Sequence, residues 1–359
     1  MLIELDKSLL ALAKFSDAAE RRVSHALNTL ALARREGHHF IFSEIDVLKE
    51  CLLLKHIDEL TVSILRRSIN KFSEKAAMAE ILKVRAVIGN YDVLTTELVD
   101  GKTKIKIPVD RVNIAFVQKT YLLVENLADA KFYKLLNEGT DLGRIPIDFE
   151  AYPGGGNTTG EALSYISTLN RMCLCIVDSD VRYSGGPLGE TAKKVVSASK
   201  KIIPSLTAFY VLPVSSVENL IPMETLIAVA KDDHVQVSRI KSLEPIYTDI
   251  AWPYFGLKRG IRCSDIVNLD HPSKLFWGQF SEENINLKSC TLEQCVVKKC
   301  ANFIYPSLGS DTLNKTVSFL EKEKKFSNTS NIATIHKAWG ELSEHITAWC
   351  CSGAPVFSG

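Results

Sequence analysis

The chain has 359 residues, of which 46% are hydrophobic, so it can bury a sizeable core as an ordinary globular protein. Its 43 basic residues are almost balanced by 42 acidic ones, which excludes binding of nucleic acid through bulk positive charge. The sequence has no apolar run of bilayer length, and the N-terminus lacks the unbroken apolar centre of a signal peptide, so we expect a cytoplasmic protein with no membrane contact.

Residues 1–112 are predicted to form a helical region that ends in a hairpin. Apolar residues recur at helical intervals in HALNTLALARR, SEIDVLKECLLLKHIDELTVSILRRSI and SEKAAMAEILKVRAVI. TELVDGKTKIKIPV then places an Asp-Gly turn between runs rich in Thr, Val and Ile, which is typical of a β-hairpin. This region could serve for packing, for dimerisation or for docking a partner.

Between residues 113 and 225, short apolar runs alternate with helical segments. The runs are YLLVE, IDFEAY, MCLCIVD and AFYVLPV, and the segments between them are ADAKFYKLLN, TGEALSYISTLN and ETAKKVVSASKKI. Such alternation predicts a Rossmann-like α/β domain, in which crossover helices connect parallel strands. Residues 226–359 have mixed character with helical stretches such as HKAWGELSEHITAW, and we expect a mostly helical C-terminal extension.

Acidic residues follow three of the four predicted strands. Glu125 ends YLLVE, Asp178 and Asp180 follow the apolar residues of MCLCIV, and Glu218 comes shortly after AFYVLPV. Ligand sites in open α/β sheets lie outside the carboxyl ends of the strands, so these side chains should converge. Asp178 and Asp180 would face one crevice if the extended backbone continues through both. The acids could instead cap helices and form turns.

Carboxylates that are held together repel one another unless a cation shares the site. Oxygen ligands of this kind suit Mg²⁺ or Mn²⁺. A soft-metal centre is not favoured in this region, because Cys173 and Cys175 lie within the predicted strand. The residues themselves therefore predict a hard divalent-metal site.

The order of YLLVENLADAKFYKLL, PGGGN, CIVDSD and VLPVSSVENLIP resembles the Toprim domain, especially that of overcoming-lysogenization-defect nucleases and related anti-phage effectors. The resemblance covers residues 115–225. It implies Glu125 as the catalytic glutamate near the reacting phosphate, and Asp178 and Asp180 as metal ligands. It also implies Glu218 as a ligand of a second metal, so that two Mg²⁺ or Mn²⁺ ions would be bound.

Two positions after Glu125 bear on this resemblance. Asp129 matches an acid that often follows the glutamate at the start of the helix, where the resemblance implies a structural role. Asn126 departs from the family, which usually has glycine there. Asparagine tolerates left-handed backbone conformations better than most residues, so the turn could survive the change.

The activity that the resemblance implies is metal-dependent cleavage of phosphodiester bonds in DNA or RNA, as an effector of bacterial anti-phage defence. Related effectors often work beside an ATPase that senses infection. The sequence contains no G-x-x-x-x-G-K-[ST] loop, so such an ATPase would be a separate partner subunit. A homo-oligomer is compatible with this arrangement.

Two further features could contact a phosphate backbone. Gly155 and Gly156 in PGGGN lie between a strand and a helix, where backbone N–H groups can approach phosphate closely, although a flexible turn is the alternative. Lys193 and Lys194 lie on one predicted helix and could guide the substrate, or could form a solvated helix face.

Other functional classes stay open. Nucleotide-sugar transferases also place an Asp-x-Asp pair after an apolar strand to hold Mn²⁺, but that chemistry has no role for Glu125. A non-catalytic scaffold or sensor would keep the acids for structure or for metal-dependent assembly. Arg34 and His39 in RREGHHF resemble the Arg-x4-His signature of helical ribonucleases of the HEPN class, a short pattern that often arises by accident.

Overall fold

The computed structural model describes residues 1–202, 206–263, 266, 271–280, 302–323, 326 and 328–356. Within these residues the protein is an α/β protein with one mixed sheet, one all-parallel sheet and helices packed around both. None of the helices in the described ranges combines the length and apolar character needed to span a membrane.

The first part of the chain builds a five-stranded mixed sheet. In chain order its strands are β1 (Leu2–Leu5), β2 (Phe40–Phe42), β3 (Val84–Gly89), β4 (Thr95–Val99) and β5 (Lys102–Pro108). The spatial order is β2-β1-β3-β5-β4, and all neighbours are parallel except β4 and β5. The connecting helices are α1 (Ser8–Phe15), α2 (Asp17–Arg35), α3 (Ile45–Cys51), α4 (Glu59–Asn70) and α5 (Phe72–Ile81).

This sheet corrects the prediction that residues 1–112 are helical up to the hairpin. The helices are present, but LIEL, FIF and VRAVIG are strands. The apolar spacing of the α5 sequence runs on into VRAVI, yet α5 ends at Ile81 and Leu82 is already extended. Ala86, Val87 and Ile88 are buried in the core. Short strands covered on both faces lack the polar alternation of a surface strand, so periodicity alone does not separate them from buried helix.

The predicted hairpin between β4 and β5 is confirmed. The two strands pair antiparallel and are joined by Asp100 and Gly101, whose φ angles are 51° and 73°. Two consecutive left-handed residues are the requirement of a type I′ turn, and Asp-Gly meets it at low cost.

The second sheet contains four parallel strands, as predicted. They are β6 (Tyr121–Val124), β7 (Glu150–Pro153), β8 (Cys173–Val177) and β9 (Thr207–Val211), in the spatial order β7-β6-β8-β9. The crossover helices are α6 (Leu127–Glu138), α7 (Thr159–Ile166) and α8 (Glu190–Ser199). Side chains of β6 and β8 on one face form a separate small core with α7 and α8.

Beyond this sheet the described residues are mostly helical, which agrees with the expected C-terminal extension. The helices are α9 (Met223–Val229), α10 (His234–Lys241), α11 (His271–Gly278), α12 (Thr312–Glu323) and α13 (Ala333–Cys350). A two-stranded antiparallel ribbon joins β10 (Ile261–Arg262) to β11 (Phe303–Tyr305).

The long helix α13 contacts both large sheets. Glu344 pairs with Lys83 just before β3, and the carbonyl of Trp349 accepts a hydrogen bond of 2.7 Å from the hydroxyl of Thr120 beside β6. The indole of Trp339 donates to the carbonyl of Leu220 at 2.8 Å. One hydrophobic core accordingly includes residues of the mixed sheet, the parallel sheet and α13. The division of the chain at residues 112 and 225 stays a prediction.

A candidate metal centre at the edge of the parallel sheet

Five acidic side chains, which we call the acid cluster, lie together beyond the carboxyl ends of β6, β8 and β9. They are Glu125, Asp129, Asp178, Asp180 and Glu218. Their proximity is reflected in their electrostatics: burial raises the pKa of Asp178 well above its ordinary value, and the carboxylates of Glu125, Glu218 and Asp129 raise it further. The four acids singled out in the sequence are therefore neighbours in the fold.

Glu125 directly follows β6 and is partly buried. Burial, and then the charges of Asp180 and Asp129, raise its pKa to about 7. Its Oε1 is buried without a hydrogen-bond partner. A carboxyl group in this condition holds a proton near neutral pH unless a cation takes its place.

Asp178 and Asp180 lie in an irregular segment after β8 and not in the strand itself. Asp178 follows β8, and its Oδ1 accepts a hydrogen bond of 3.0 Å from the N–H of Val217. Asp180 is left-handed, with φ of 53°, and its N–H donates to the carbonyl of Ser215 at 2.8 Å. The condition that extended backbone continues through both aspartates is not met, because β8 ends at Val177 and Asp180 is left-handed.

Glu218 is fully buried in the short 3-10 helix Val217–Leu220 that follows β9. Its Oε1 lies 2.9 Å from Nζ of Lys258, and its Oε2 is buried without a hydrogen-bond partner. Burial acts to lower the pKa of Lys258, but the carboxylates of Glu218, Asp178 and Asp129 together raise it above the ordinary lysine value. Lys258 is therefore positively charged where it contacts Glu218 of the acid cluster.

Sequence reasoning missed Lys258. It lies in GLKRG, far from the acids along the chain and outside every motif that was recognised. Nothing in that string distinguishes it from a surface lysine, since its partner is set by how the C-terminal residues fold over the sheet.

Asp129 has a structural contact of its own. Its Oδ2 accepts a hydrogen bond of 2.9 Å from the N–H of Asn126, the residue that caps α6. Asn126 has φ of −135°, so the departure from glycine required no left-handed backbone. Burial, and the nearby Glu218, raise the pKa of Asp129 to about 6. These contacts agree with a structural role for Asp129.

The glycine-rich loop lies against the acid cluster. Gly155 and Gly156 are left-handed, with φ of 71° and 65°, and α7 begins at Thr159 as predicted. A Cβ added to Gly156 would lie 4.0 Å from Oε2 of Glu125, which shows how near this backbone passes to the glutamate. The loop therefore forms one wall beside the site.

The two lysines predicted to bind substrate differ in their surroundings. Lys194 donates from Nζ to the carbonyl of Asn157 at 3.2 Å, so its ammonium lies at the glycine-rich loop. Lys193 pairs with Glu190 on its own helix at 3.0 Å, and both side chains are well exposed. The structure thus brings Lys194, but not Lys193, to the loop beside the acids.

Two clefts open beside the acid cluster and share Asp180, Arg182 and Ser273 in their walls. The smaller has a volume of about 150 Å³ and is also lined by Asp178 and Lys258. The larger, of about 610 Å³, extends along the segment before α8. A ligand in either cleft would meet the aspartates from a different side.

Among the described residues, no three side chains of the acid cluster place ligand atoms all within 4.8 Å of one another. In the described parts of the chain, the group whose metal-ligating atoms all lie within 4.8 Å of one another is Asp17, Glu20 and His56 at the start of α2. There Asp17 is already engaged by Arg21 at 2.9 Å and by His56 at 3.0 Å, which accounts for the grouping without an ion.

Arg34 and His39 are both buried and bonded to backbone carbonyls. The guanidinium of Arg34 donates to Ala354 at 3.1 Å, and Nε2 of His39 lies 2.9 Å from the carbonyl oxygen of Gln118. These contacts explain the two residues as parts of the core around α2 and β2.

The donor set of the acid cluster fits a hard divalent cation. Every candidate ligand atom is a carboxylate oxygen, and oxygens of Glu125 and Glu218 are buried with no hydrogen-bond partner.

Comparisons with protein-family models, with curated proteins and with solved structures find no match for this chain.

Proposed function

We propose that the chain is a metal-dependent nuclease with a Toprim-like domain, which cleaves phosphodiester bonds of DNA or RNA at the acid cluster. The observation that carries the proposal is the meeting of Glu125, Asp178, Asp180 and Glu218 at one edge of a parallel sheet. The Toprim resemblance assigns its acids to these same four positions.

Asp178, Asp180 and Glu218 would hold Mg²⁺ or Mn²⁺, two ions by the resemblance, with Glu125 beside them as the catalytic glutamate. A bound divalent ion would offset phosphate charge and would bring the pKa of a water molecule towards neutrality. A cation would favour the charged carboxylates, since burial, and then repulsion between the acids, raise the pKa of both Glu125 and Asp178.

The remaining tasks fall to the chain's own groups. Glu125 lies beside these ligands at the end of β6, where it would exchange a proton with the attacking water or the leaving oxygen. Lys258 places a positive charge in the smaller cleft, where it would neutralise part of the charge of an incoming phosphate. Asp129 accepts the N–H of Asn126, the residue after Glu125, and so fixes the start of α6.

The test is cleavage of plasmid, single-stranded DNA and tRNA in Mg²⁺ or Mn²⁺. We expect Glu125→Gln to lose at least about 100-fold in rate, the scale of a positioned acid or base. Glu161→Gln is the matched control, because Glu161 is an exposed glutamate in the first turn of α7. Cleavage that survives in Glu125→Gln, or that needs no divalent ion, would refute the proposal.

We further propose that the protein acts in anti-phage defence beside a separate ATPase subunit. This setting is supported by the resemblance to effectors of that kind and by the missing nucleotide-binding loop in the sequence. A plaque assay with the wild-type protein and with Glu125→Gln, each with and without any ATPase gene that is found encoded beside it, tests it. If cells with Glu125→Gln resist phage as well as cells with the wild-type protein, nuclease activity is not the cause of the protection.

One observation favours an alternative, a non-catalytic scaffold. Lys258 already neutralises part of the charge of Glu218, so the cluster has an internal counter-ion. In that case neither Mg²⁺ nor Mn²⁺ would raise the melting temperature, and no substrate would be cut.

A further inference from the structure

We propose that Arg182 binds a phosphate of a nucleic-acid strand that runs from one cleft to the other across the acid cluster. The inference rests on the proposed function and adds the place where the sugar-phosphate backbone lies. Its ligand class is the phosphodiester group, which DNA and RNA share.

The position of Arg182 is the first argument. The two clefts have Asp180, Arg182 and Ser273 in common, so they meet at these side chains. A small molecule could occupy one cleft alone. A polymer that continues from the smaller cleft, of about 150 Å³, into the larger, of about 610 Å³, must pass Arg182.

The second argument is that Arg182 is anchored through its backbone while its side chain is exposed. Its carbonyl accepts a hydrogen bond of 2.8 Å from the indole N–H of Trp277, which is 4% exposed and packs against Phe255 and Phe276. In the described part of the chain, the Arg182 guanidinium has no ion-pair partner. The backbone is thus fixed before a ligand arrives, and the charge is uncommitted.

The third argument is charge. The smaller cleft is lined by the acids Asp178 and Asp180 and by three cations, Arg182, Lys258 and Arg259. Lys258 is held by Glu218, whereas the Arg182 guanidinium can offer two parallel N–H donors to one phosphate. A phosphate one step along the strand from the acids would be drawn to Arg182, and the scissile phosphate would then lie at the acid cluster.

The experiment measures binding of fluorescein-labelled single-stranded DNA and RNA of equal length by Glu125→Gln protein in Ca²⁺, over a series of salt concentrations. Adding Arg182→Gln should weaken binding at least about tenfold and reduce the slope of log K against log salt by about 0.7, the loss of one phosphate contact on a single strand. Both strands should respond alike, because the contact is to phosphate.

Two variants complete the design. Arg66→Gln removes an exposed arginine from α4, lines neither cleft, and should leave affinity and slope unchanged. Arg182→Lys keeps the charge and should retain the slope while losing part of the affinity. The melting temperature of the Arg182→Lys variant should match that of the Glu125→Gln protein from which it is made, since the Arg182 side chain is exposed.

The possible failures are distinguishable. If Arg182→Gln binds like its parent, or loses affinity without a change in slope, the present inference is overturned and the proposed nuclease stands. If the parent protein binds neither DNA nor RNA, the proposed function itself fails.

Discussion

Lys258 forms an ion pair with Glu218, whose side chain is fully buried. The burial of Glu218 determines how removal of the lysine would change the stability of the protein. Glu218 is 0% exposed, and the Lys258 ammonium lies 2.9 Å from its Oε1. A buried carboxylate that loses its counter-ion must either stay charged in a poorly polar site or take up a proton, and both cost free energy.

We expect Lys258→Met to lower the free energy of unfolding by about 2 kcal/mol, less than for a fully buried pair because the lysine is partly exposed. Urea unfolding measures this. Adding Glu218→Gln should recover most of the loss, since no buried charge is then left. If the single variant is as stable as the wild type, the ion pair contributes nothing to folding.

Arg182 and Lys258 also mark the limit of what the sequence could predict about the site. Glu125, Asp178 and Glu218 were found because each follows a predicted strand, and strand ends of a parallel sheet share one edge. Lys258 follows no strand of that sheet, and its position depends on packing between distant segments, which leaves no pattern in a single sequence. Arg182 does follow β8, but an isolated arginine in a connecting segment belongs to no motif that marks it as part of a site.

Single elements explain why one sheet was predicted and the other was not. The strands of the parallel sheet alternate with helices at a spacing that defines βαβ units. In the mixed sheet, β2 has only three residues, and β3 follows α5 after two residues that belong to neither element. The hairpin was predictable because Asp100 and Gly101 carry their own turn signal.

At the scale of elements, a buried lysine connects α5 to its neighbours. Lys75 in α5 is 5% exposed, and its Nζ donates to the carbonyl of Ile41 in β2 at 2.8 Å and to the hydroxyl of Ser68 in α4 at 2.9 Å. Burial lowers the pKa of Lys75 from 10.5 to about 8, and the charge of Arg34 adds to this. Between these two pKa values the unfolded chain binds more protons than the folded one, so this contribution to stability rises with pH.

We compare the free energy of unfolding of the wild type with that of Lys75→Met. Between about pH 7.5 and about pH 9.5, the wild type should gain on the order of 2 kcal/mol relative to the variant. Below about pH 8 the difference should be nearly constant, because Lys75 is then protonated in both states. Urea unfolding at each pH measures it. Lys71→Met, which removes an exposed lysine just before α5, should show no such trend. A flat difference for Lys75→Met would mean that Lys75 is charged in the folded protein over the whole range.

The whole molecule is organised around α13, which contacts both sheets and closes a shared core. We therefore expect the chain to unfold in one cooperative transition. The four tryptophans all lie beyond residue 250, so fluorescence reports on the C-terminal part, while far-ultraviolet circular dichroism reports on every helix and strand. Coincident urea curves from the two probes are the expected result. Separate midpoints would show that the C-terminal part unfolds independently of at least one other part of the chain.

The place of α13 in the chain also has a consequence during synthesis. Translation delivers Glu125, Asp178 and Glu218 to solvent well before the helix whose Trp339 fastens the segment holding Glu218, by bonding to Leu220. An unfinished polypeptide would therefore carry the acids without the hydrogen bond that ties the Glu218 segment to α13. For the proposed nuclease, this delay would keep partial products inactive on the ribosome.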